Sequence, residues 1–398
     1  MADRTGIPPV TTPAIAASGA DGWRPTPFHE YVLKVHSRCD LACTYCYMYQ
    51  LADSGWRDQP RSMSDRVLGQ TCRRVAEHVA EHRLPAVRVV LHGGEPLLVG
   101  PSRLAAIARR VRAAVPDATV DVTVQTNAVL LDEAGAAALA EAGVRVGVSL
   151  DGDRRANDRH RRSARGDSSY DRACRGIELL RAAGILAGIL CVVSLDNDPV
   201  GTYDALVAHE PPLIDLLLPH GNWTSPPPGR GSGAETPYGD WLSAAFDRWY
   251  DEPARVGVRL FEETVNVLLG GASRSESIGL SPVATIVVNA DGALEQIDTL
   301  RSTYHGAAGT GLNVFTHRLD DALAHPAVVA RQLGARALAA GCRSCRIRDT
   351  CGGGYYPHRY RAGAGFDNPS VYCPDLLRFV DHVAGRLRVD IARLAVPA

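Results

Sequence analysis

The sequence predicts an α/β fold: a partial (β/α)6 barrel followed by a C-terminal domain that carries a β-hairpin. Short runs rich in β-branched residues alternate with amphipathic segments of helical period, and this alternation predicts parallel strands joined by helices. Six such units are too few for a closed eight-stranded barrel. We therefore expect an open or partial barrel with its active site at the carboxyl ends of the strands.

Six strands and five helices are expected in the first half of the chain. The strands are expected at residues 31–36, 87–92, 119–125, 144–150, 186–193 and 213–219. The helices are expected near 64–82, 102–114, 132–142, 168–183 and 201–209. Ser64 and Asp132 are typical of helix starts, and Gly143 and Gly184 of helix ends.

Polar or small residues follow most of these strands, which is why we expect the active site there. The segment Cys39–Tyr47 follows the first strand. The segments after later strands are His92–Pro96, Gln125–Asn127, Ser149–Gly152 and Pro219–Asn222. Because the carboxyl ends of parallel strands share one edge of a sheet, these segments should line one cavity.

The remaining divisions follow from composition. A Pro/Gly/Ser-rich stretch at 224–236 predicts a linker, and Ala290-Asp291-Gly292 between two apolar runs predicts a hairpin turn. The expected organisation is a flexible lead-in at 1–28, the barrel at 29–223, a linker with bridging helices at 224–280, the hairpin domain at 281–375 and a C-terminal helix at 376–398.

Charge and hydropathy exclude some classes of protein. The formal net charge of −1, with 22% charged residues, gives no electrostatic case for binding nucleic acid or anionic membranes. No run approaches the roughly 18 apolar residues that a spanning helix requires. The first 27 residues lack the basic start and apolar core of a signal peptide, so we expect a cytoplasmic protein.

Seven of the ten cysteines fall into two clusters, which is typical of metal ligands in a reducing compartment. Cys39, Cys43 and Cys46 have the spacing C-x3-C-x2-C, which places three thiols around one soft metal centre and leaves one position open. A structural zinc loop with a distant fourth ligand, or buried thiols, are the alternatives. The second cluster comprises Cys342, Cys345, Cys351 and Cys373.

The strand ends supply groups for a polar ligand. Gly93 and Gly94 let a ligand approach the backbone, and Glu95 can hold an ammonium group. Ser149 and Asp151 can reach sugar hydroxyls, and one arginine of the basic run 154–165 can pair with a carboxylate. Simple glycine turns, a helix cap and a solvated surface are the alternative explanations. S-adenosylmethionine (SAM) carries an amino group, a carboxylate and a ribose.

Together these motifs resemble the radical SAM superfamily over residues 31 to about 222. The resemblance implies that Cys39, Cys43 and Cys46 hold a [4Fe-4S] cluster that binds SAM. It further implies a set of SAM contacts: Tyr45, Gly93, Gly94, Glu95, Asn127, Ser149, Asp151 and Arg161. Among these, Ser149 and Asp151 are expected to contact the ribose and Arg161 the carboxylate.

The tail is similar to the SPASM extension of that superfamily, with fewer cysteines. Ile297 and Tyr355 stand where the full pattern has cysteines, so the resemblance implies one auxiliary [4Fe-4S] cluster held by Cys342, Cys345, Cys351 and Cys373. A four-cysteine zinc site is the alternative. Asp298 matches the position of a catalytic base, and His92 and His220 are candidate substrate contacts; a surface hairpin residue and core histidines are the alternatives.

Two local strings, Phe28–Cys39 and Ser54–Arg61, resemble the FxsB-type peptide maturases, which form cyclophanes. This finer resemblance implies that a 5′-deoxyadenosyl radical removes a Cβ hydrogen from a ribosomally made precursor peptide. The peptide carbon then joins an aromatic ring, and flavodoxin or ferredoxin supplies electrons. The alternatives are thioether formation, epimerisation, formylglycine-type oxidation, or a non-catalytic metal-binding module that recognises peptides.

Overall fold

The carboxyl ends of six parallel strands meet at one edge of the central sheet, as the computed structural model shows. The structure describes residues 23–231, 233–253 and 255–394. The strands are β1 Glu30–His36, β2 Ala86–Gly93, β3 Thr119–Thr126, β4 Arg145–Ser149, β5 Leu186–Val192, β6 Leu213–Leu217, β7 Gly257–Val258, β8 Thr285–Val288, β9 Ala293–Glu295 and β10 Gly309–Asn313. Most of the expected lead-in, residues 1–22, lies outside the described residues.

All ten strands belong to one mixed sheet in the order β10-β9-β8-β1-β2-β3-β4-β5-β6-β7. Neighbours from β8 to β7 pair in parallel, whereas β8, β9 and β10 pair antiparallel. The prediction of a partial barrel with a C-terminal hairpin is confirmed. The hairpin continues the barrel sheet, because β8 pairs directly with β1.

Thirteen α-helices are described. They are α1 Asp65–His82, α2 Pro101–Ala114, α3 Glu133–Glu141, α4 Arg154–His160, α5 Tyr170–Ala182, α6 Pro199–Val207, α7 Pro237–Tyr250, α8 Arg259–Leu268, α9 Leu319–Leu323, α10 Pro326–Gln332, α11 Ala340–Arg343, α12 Arg348–Cys351 and α13 Cys373–Leu394. Ser64 and Asp132 cap α1 and α3 through their side chains, as predicted. The short helix α4, within the basic run 154–165, was not predicted.

The core lies mainly against one face of the central strands. In β2 and β3, buried Val and Leu alternate with exposed or half-buried residues, several of them polar, as in strands with one face in the core. The long helix α13 packs on α7 and α8 through rings of Phe246, Phe261 and Phe379. No helix in the described ranges is long and apolar enough to cross a membrane.

Candidate active site

The cluster-forming segment is the loop that follows β1. Cys39, Cys43 and Cys46 are free thiols and half-buried. The loop folds back on itself, with the Cys46 amide donating to the Cys43 carbonyl at 3.2 Å, and the Leu41 amide donating to Cys39 Sγ at 3.4 Å. Three sulfurs are thus held on one short loop at the carboxyl end of the sheet.

Two glycines at the end of β2 allow close approach of the end of β1 and of the segment that carries the cysteines. A Cβ on Gly93, the last residue of β2, would lie 2.1 Å from the carbonyl oxygen of His36, the last residue of β1. A Cβ on Gly94 would lie 1.9 Å from Tyr49 Oη, three residues after the third cysteine. The Gly94 amide donates to the His36 carbonyl at 2.8 Å. Contacts within the chain itself therefore favour glycine at both positions.

Glu95 joins the ends of β2 and β3. It is 1% exposed, and its carboxylate accepts hydrogen bonds from Thr126 Oγ1 at 2.5 Å and from the Asn127 amide at 2.9 Å. Burial raises the pKa of Glu95 to about 7 despite these donors. The Asn127 side chain donates to Asp40 at 2.8 Å, one residue beyond the first cysteine. Glu95 and Asn127 thus lie beside the cysteine loop.

Three further predicted residues form one hydrogen-bonded group. Tyr45 Oη donates to Asp151 Oδ2 at 2.5 Å, and Arg161 Nη1 donates to the same Tyr45 oxygen at 3.0 Å. Burial raises the pKa of Asp151, and Arg161 opposes this. Ser149 lies nearby and accepts from Gln125 at 3.0 Å. Because Tyr45 lies between the second and third cysteines, its two hydrogen bonds hold Asp151 and Arg161 beside the cysteine loop.

Asp298 lies at the centre of a second buried group. Its carboxylate is ion-paired with Lys34, and Tyr47 Oη donates to its Oδ2 at 2.8 Å. His92 Nδ1 is 3.7 Å from the same oxygen and 2.8 Å from Lys34 Nζ. Burial raises the pKa of Asp298, but the ion pair with Lys34 and the hydrogen bond from Tyr47 outweigh it and hold that pKa well below the usual range. Asp298 is therefore ionised.

The two candidate substrate histidines flank this group as neutral rings. Burial, with Lys34 nearby, lowers the pKa of His92 to about 3, and burial lowers the pKa of His220 to about 4. The His220 ring meets the Tyr47 ring edge-on at 5.0 Å, and its Nδ1 is buried without a hydrogen-bond partner. His92, His220 and Asp298 are thus gathered around Lys34 and Tyr47.

Comparison with known proteins identifies the domain that carries this site. Residues 33–201 match the family model of the radical SAM superfamily. Those residues include the cysteine loop, the Gly93–Glu95 strand end and Arg161. Residues 33–201 form a radical SAM domain.

Relatives of this radical SAM protein extend the likeness along the chain. A serine-type anaerobic sulfatase-maturating enzyme of Klebsiella aerogenes is 29% identical over 383 residues, covering 92% of this chain and 87% of that protein. The structure of native anSMEcpe with bound AdoMet and Cp18Cys peptide superposes with a TM-score of 0.78 at 21% identity, over 92% of this chain and 99% of that one.

Streptococcus suis SuiB bound to the precursor peptide SuiA superposes with a TM-score of 0.60 at 15% identity, over 90% of this chain and 79% of that one. The two superpositions establish a shared fold. As a radical SAM enzyme, the protein uses a [4Fe-4S] cluster and SAM. The cysteine loop fits this pair, because none of its thiols is in a disulfide. Burial raises the pKa of Cys43 and Cys46, and the positive charge of Arg161 opposes that rise.

The tail cysteines of this radical SAM enzyme lie at the ends of short helices. They are Cys342 in α11, Cys345 after it, Cys351 at the end of α12 and Cys373 at the start of α13, all free and half-buried. Burial, reinforced by the nearby Cys373, raises the pKa of Cys351 to about 12. Burial also raises the pKa of Cys373, and the nearby Cys342 and Cys345 add to that rise. Cys373 thus lies near the other three thiols, and the binding of one cluster by all four stays a prediction.

A run of three glycines shapes the loop after Cys351. Gly352, Gly353 and Gly354 have φ values of 61°, 78° and 69°, and a Cβ on Gly352 would lie 1.7 Å from the Gly279 carbonyl oxygen. The Arg359 guanidinium donates to the carbonyls of Gly352 and Gly354 at 2.6 and 2.8 Å. Backbone geometry thus holds Cys351 in place.

The two positions where the fuller family pattern has cysteines are filled by other groups. Ile297 belongs to a small apolar cluster, and Tyr355 packs against that cluster. Tyr355 Oη also shares a hydrogen bond of 2.6 Å with Thr299 Oγ1. At these two positions this chain therefore has an apolar side chain and a phenol, neither of which can replace a cysteine thiolate as a cluster ligand.

Sequence reasoning missed Lys34 and Tyr47, the two groups in contact with Asp298. Lys34 was read as part of an apolar strand, yet it is 1% exposed and makes a buried ion pair. A lone lysine in an otherwise apolar strand is itself a signal, because a buried charge requires a partner. Tyr47 directly follows the third cysteine, and only the fold places it against Asp298.

Proposed function

We propose that this radical SAM enzyme oxidises a side chain of a peptide at its Cβ by two electrons, with Asp298 as the base. The observation that carries the proposal is the buried group of Asp298, Lys34 and Tyr47. Tyr47 follows Cys46 directly in the chain, so the base lies next to the residues proposed to hold the SAM-binding cluster. Asp298 also corresponds to the base position in the SPASM resemblance.

The residues proposed to hold cofactors follow the two cysteine sites. Cys39, Cys43 and Cys46 hold the SAM-binding [4Fe-4S] cluster, and Glu95, Asn127, Asp151 and Arg161 orient SAM. Cys342, Cys345, Cys351 and Cys373 hold one auxiliary cluster. When bound, these groups supply an acceptor for one hydrogen atom and an acceptor for one electron. With the proton taken by Asp298, the peptide loses two hydrogens in total.

The charges around Asp298 suit a proton acceptor. A hydroxyl or thiol next to a carbon radical becomes strongly acidic as that radical is oxidised, so a carboxylate of low pKa is a sufficient base. Lys34 keeps Asp298 ionised, and His92 contacts Lys34 at 2.8 Å. After Asp298 takes a proton, Lys34 can pass one of its own protons to the neutral His92 ring and accept the proton of Asp298 in exchange. Tyr47 fixes the orientation of the carboxylate.

Formylglycine-type oxidation is the product we favour. Relatives that span most of this chain are named as sulfatase-maturating enzymes, which supports oxidation of a serine or cysteine in a peptide. Serine would lose two hydrogens and become an aldehyde. Cysteine would reach the same aldehyde after hydrolysis of a thioaldehyde.

Cyclophane formation is the second candidate. It is favoured by the FxsB-like strings Phe28–Cys39 and Ser54–Arg61 and by the replacement of two SPASM cysteines by Ile297 and Tyr355. Here a precursor-peptide carbon joins an aromatic ring, and Asp298 takes the ring proton. The same two hydrogens leave the peptide, and a one-electron donor such as flavodoxin or ferredoxin starts either reaction.

The test uses the anaerobically reconstituted enzyme with SAM, a reductant and matched peptides. The Cp18Cys peptide is compared with its Cys→Ser and Cys→Ala counterparts and with a cysteine-free peptide rich in aromatic residues. An aldehyde on the Cys and Ser peptides, detected with a hydrazide probe, supports oxidation to formylglycine. Loss of two hydrogens without an aldehyde on the aromatic peptide supports crosslinking. If no peptide leads to 5′-deoxyadenosine, the proposal that the protein is a peptide-oxidising radical SAM enzyme is wrong.

Asp298→Asn tests the base directly. We expect peptide modification to fall by about 10²–10⁴-fold, because the acceptor of the proton is lost. Formation of 5′-deoxyadenosine should continue, and Asp298→Glu should retain part of the activity. Asp291→Asn, in the hairpin turn of the same segment, is the matched control and should leave activity unchanged. Unimpaired modification by Asp298→Asn would remove the residue from this role.

A further inference from the structure

Three ligand-type side chains gather away from the active site, between α1 and α9. His78 and His82 lie one helical turn apart on α1, so their rings project from the same face. Asp320 on α9 faces both rings. His78 Nδ1 is 3.3 Å from Asp320 Oδ2, and His82 Nε2 is 2.6 Å from Asp320 Oδ1. The three ligand atoms lie within 4.8 Å of one another.

Hydrogen bonding within the group leaves buried atoms unsatisfied. His78 is fully buried, and neither of its ring nitrogens makes a well-aligned hydrogen bond, although Nδ1 faces Asp320 and the Phe28 backbone lies beside the ring. Asp320 Oδ2 is also buried without a partner, although it faces His78 Nδ1. Buried polar groups without partners cost free energy, so this arrangement calls for a further group between the ring and the carboxylate.

The other charged and polar neighbours do not supply that group. Arg318 Nη2 is 3.8 Å from Asp320 Oδ2 and 3.5 Å from Glu81, and its side chain is half-exposed. Tyr31 meets the His78 ring edge-on, but its hydroxyl donates to the Phe28 carbonyl. Arg318 therefore balances charge at the rim. The Phe28 backbone is the other polar group beside the His78 ring, and its carbonyl already accepts from Tyr31.

We propose that His78, His82 and Asp320 bind one divalent transition-metal ion, with Zn²⁺ as the expected occupant. Tetrahedral zinc with bonds of about 2.0–2.1 Å places neighbouring ligand atoms about 3.3 Å apart. The separation of His78 Nδ1 and Asp320 Oδ2 is 3.3 Å. His82 Nε2 and Asp320 Oδ1 are in direct contact at 2.6 Å, so binding the ion requires these two side chains to separate slightly. Two imidazoles and one carboxylate are ligands that zinc accepts, and the part-exposed side of Asp320 leaves room for a water ligand.

The chemistry of the ring agrees with this geometry. Burial lowers the pKa of His78, although Asp320 opposes the shift, so the imidazole is neutral and has a lone pair to donate. The ion would tie α1, which follows β1 in the barrel, to α9, which follows β10. We therefore assign it a structural role, independent of the proposed oxidation.

The experiment measures zinc in the reconstituted enzyme, whose cysteine sites are filled with iron. The protein is treated with a chelator, desalted, titrated with ZnCl2 and analysed for bound metal and for its unfolding temperature. We expect the wild type to hold about one zinc ion per chain and to unfold at a higher temperature with zinc than without. His82→Gln and Asp320→Asn should each weaken zinc binding by at least ~10-fold.

The matched control is His382→Gln. His382 is part-exposed and paired with Asp247 at 2.8 Å, as His82 is with Asp320, but it belongs to no three-ligand group in the described ranges. It should bind zinc like the wild type. Equal zinc binding by the wild type, His82→Gln and Asp320→Asn would overturn the proposal.

A second measurement covers the case in which the variants fail to fold. X-ray absorption at the zinc edge of the wild type should show nitrogen and oxygen ligands with imidazole scattering. A sulfur shell would place the zinc at the cysteines and overturn the assignment. Iron content and circular dichroism establish that each variant retains its fold and clusters.

Discussion

The two cysteine sites are built from similar residues in different surroundings. The first follows β1 and lies among titratable side chains from other strand ends, including Glu95, Asp151 and Arg161. The tail site lies among short helices, and Arg359, whose charge acts on Cys342 and Cys351, donates to the carbonyls of Gly352 and Gly354. Titratable side chains thus surround the first cysteine site, whereas at the tail site the glycine backbone and its hydrogen bonds position the cysteines.

This difference indicates a division of labour. Three thiols leave one position for an exchangeable ligand, and the acids and bases beside them can orient that ligand. Four thiols complete the ligand set of a cluster, so the tail site is suited to accepting or passing electrons. The two sites should therefore respond differently to the same substitution.

The largest effect is expected from removing one thiol at either site. Cys43→Ala should lower iron from about eight to about four per chain and abolish formation of 5′-deoxyadenosine. Cys345→Ala should lower iron by a similar amount, but SAM cleavage should persist while the modified peptide is lost. Iron analysis and chromatography of 5′-deoxyadenosine measure both effects.

Cys174→Ala is the control for this pair, because Cys174 is a half-buried thiol outside both clusters. It should retain the wild-type iron content and activity. If Cys345→Ala loses SAM cleavage as completely as Cys43→Ala, the proposed separation between a SAM-binding site and an electron-accepting site is wrong.

A second effect concerns the buried charges beside the first site. Lys34 and Asp298 have side chains that are 2% and 14% exposed and neutralise one another. Lys34→Met keeps a side chain of similar length but leaves the Asp298 carboxylate unpaired, which should destabilise the fold by about 3–5 kcal/mol. The pKa of Asp298 should then rise, because the Lys34 ammonium no longer opposes the effect of burial. Urea unfolding at neutral pH measures the loss.

The double variant Lys34→Met/Asp298→Asn distinguishes an unpaired charge from simple loss of packing. With both charges removed, much of the lost stability should return, because no uncompensated ion remains. If the double variant is as unstable as the sum of the two single variants, the two residues are not coupled and the ion pair does not hold Asp298.

The sequence predicted the parts of the molecule that depend on local patterns. The six strands, the caps at Ser64 and Asp132, and both cysteine groups follow from periodicity or from short spacings. Gly93 and Gly94 were predicted to let a ligand approach the backbone. The close approach in the structure comes from the chain itself, from His36 at Gly93 and from Arg38 and Tyr49 at Gly94.

The remaining features depend on pairings between distant segments. Lys34 and Asp298 are 264 positions apart, and no spacing rule brings them together. The contact exists because β8 pairs with β1, which places the end of the hairpin beside the carboxyl end of the barrel. Tyr45, Asp151 and Arg161 were each predicted singly, but their shared hydrogen bonds required the fold.

The smallest effect tests the neutral histidine at the first site. His220 has a pKa of about 4 because of burial, compared with about 6.5 in an unfolded chain. Between these values the unfolded state binds more protons, so His220 should reduce stability as pH falls from 6.5, by up to ~1.4 kcal/mol per pH unit. Urea unfolding at pH 7 and pH 5.5 measures this dependence.

His220→Phe keeps a ring against Tyr47 and should flatten the pH dependence of stability by that amount. His305→Phe, at a side chain that is 65% exposed, is the control and should leave the slope unchanged. An unchanged slope in His220→Phe would mean that His220 is not held neutral by burial. A flattened slope would show that burial excludes charge at His220, although the buried group beside it retains the paired charges of Lys34 and Asp298.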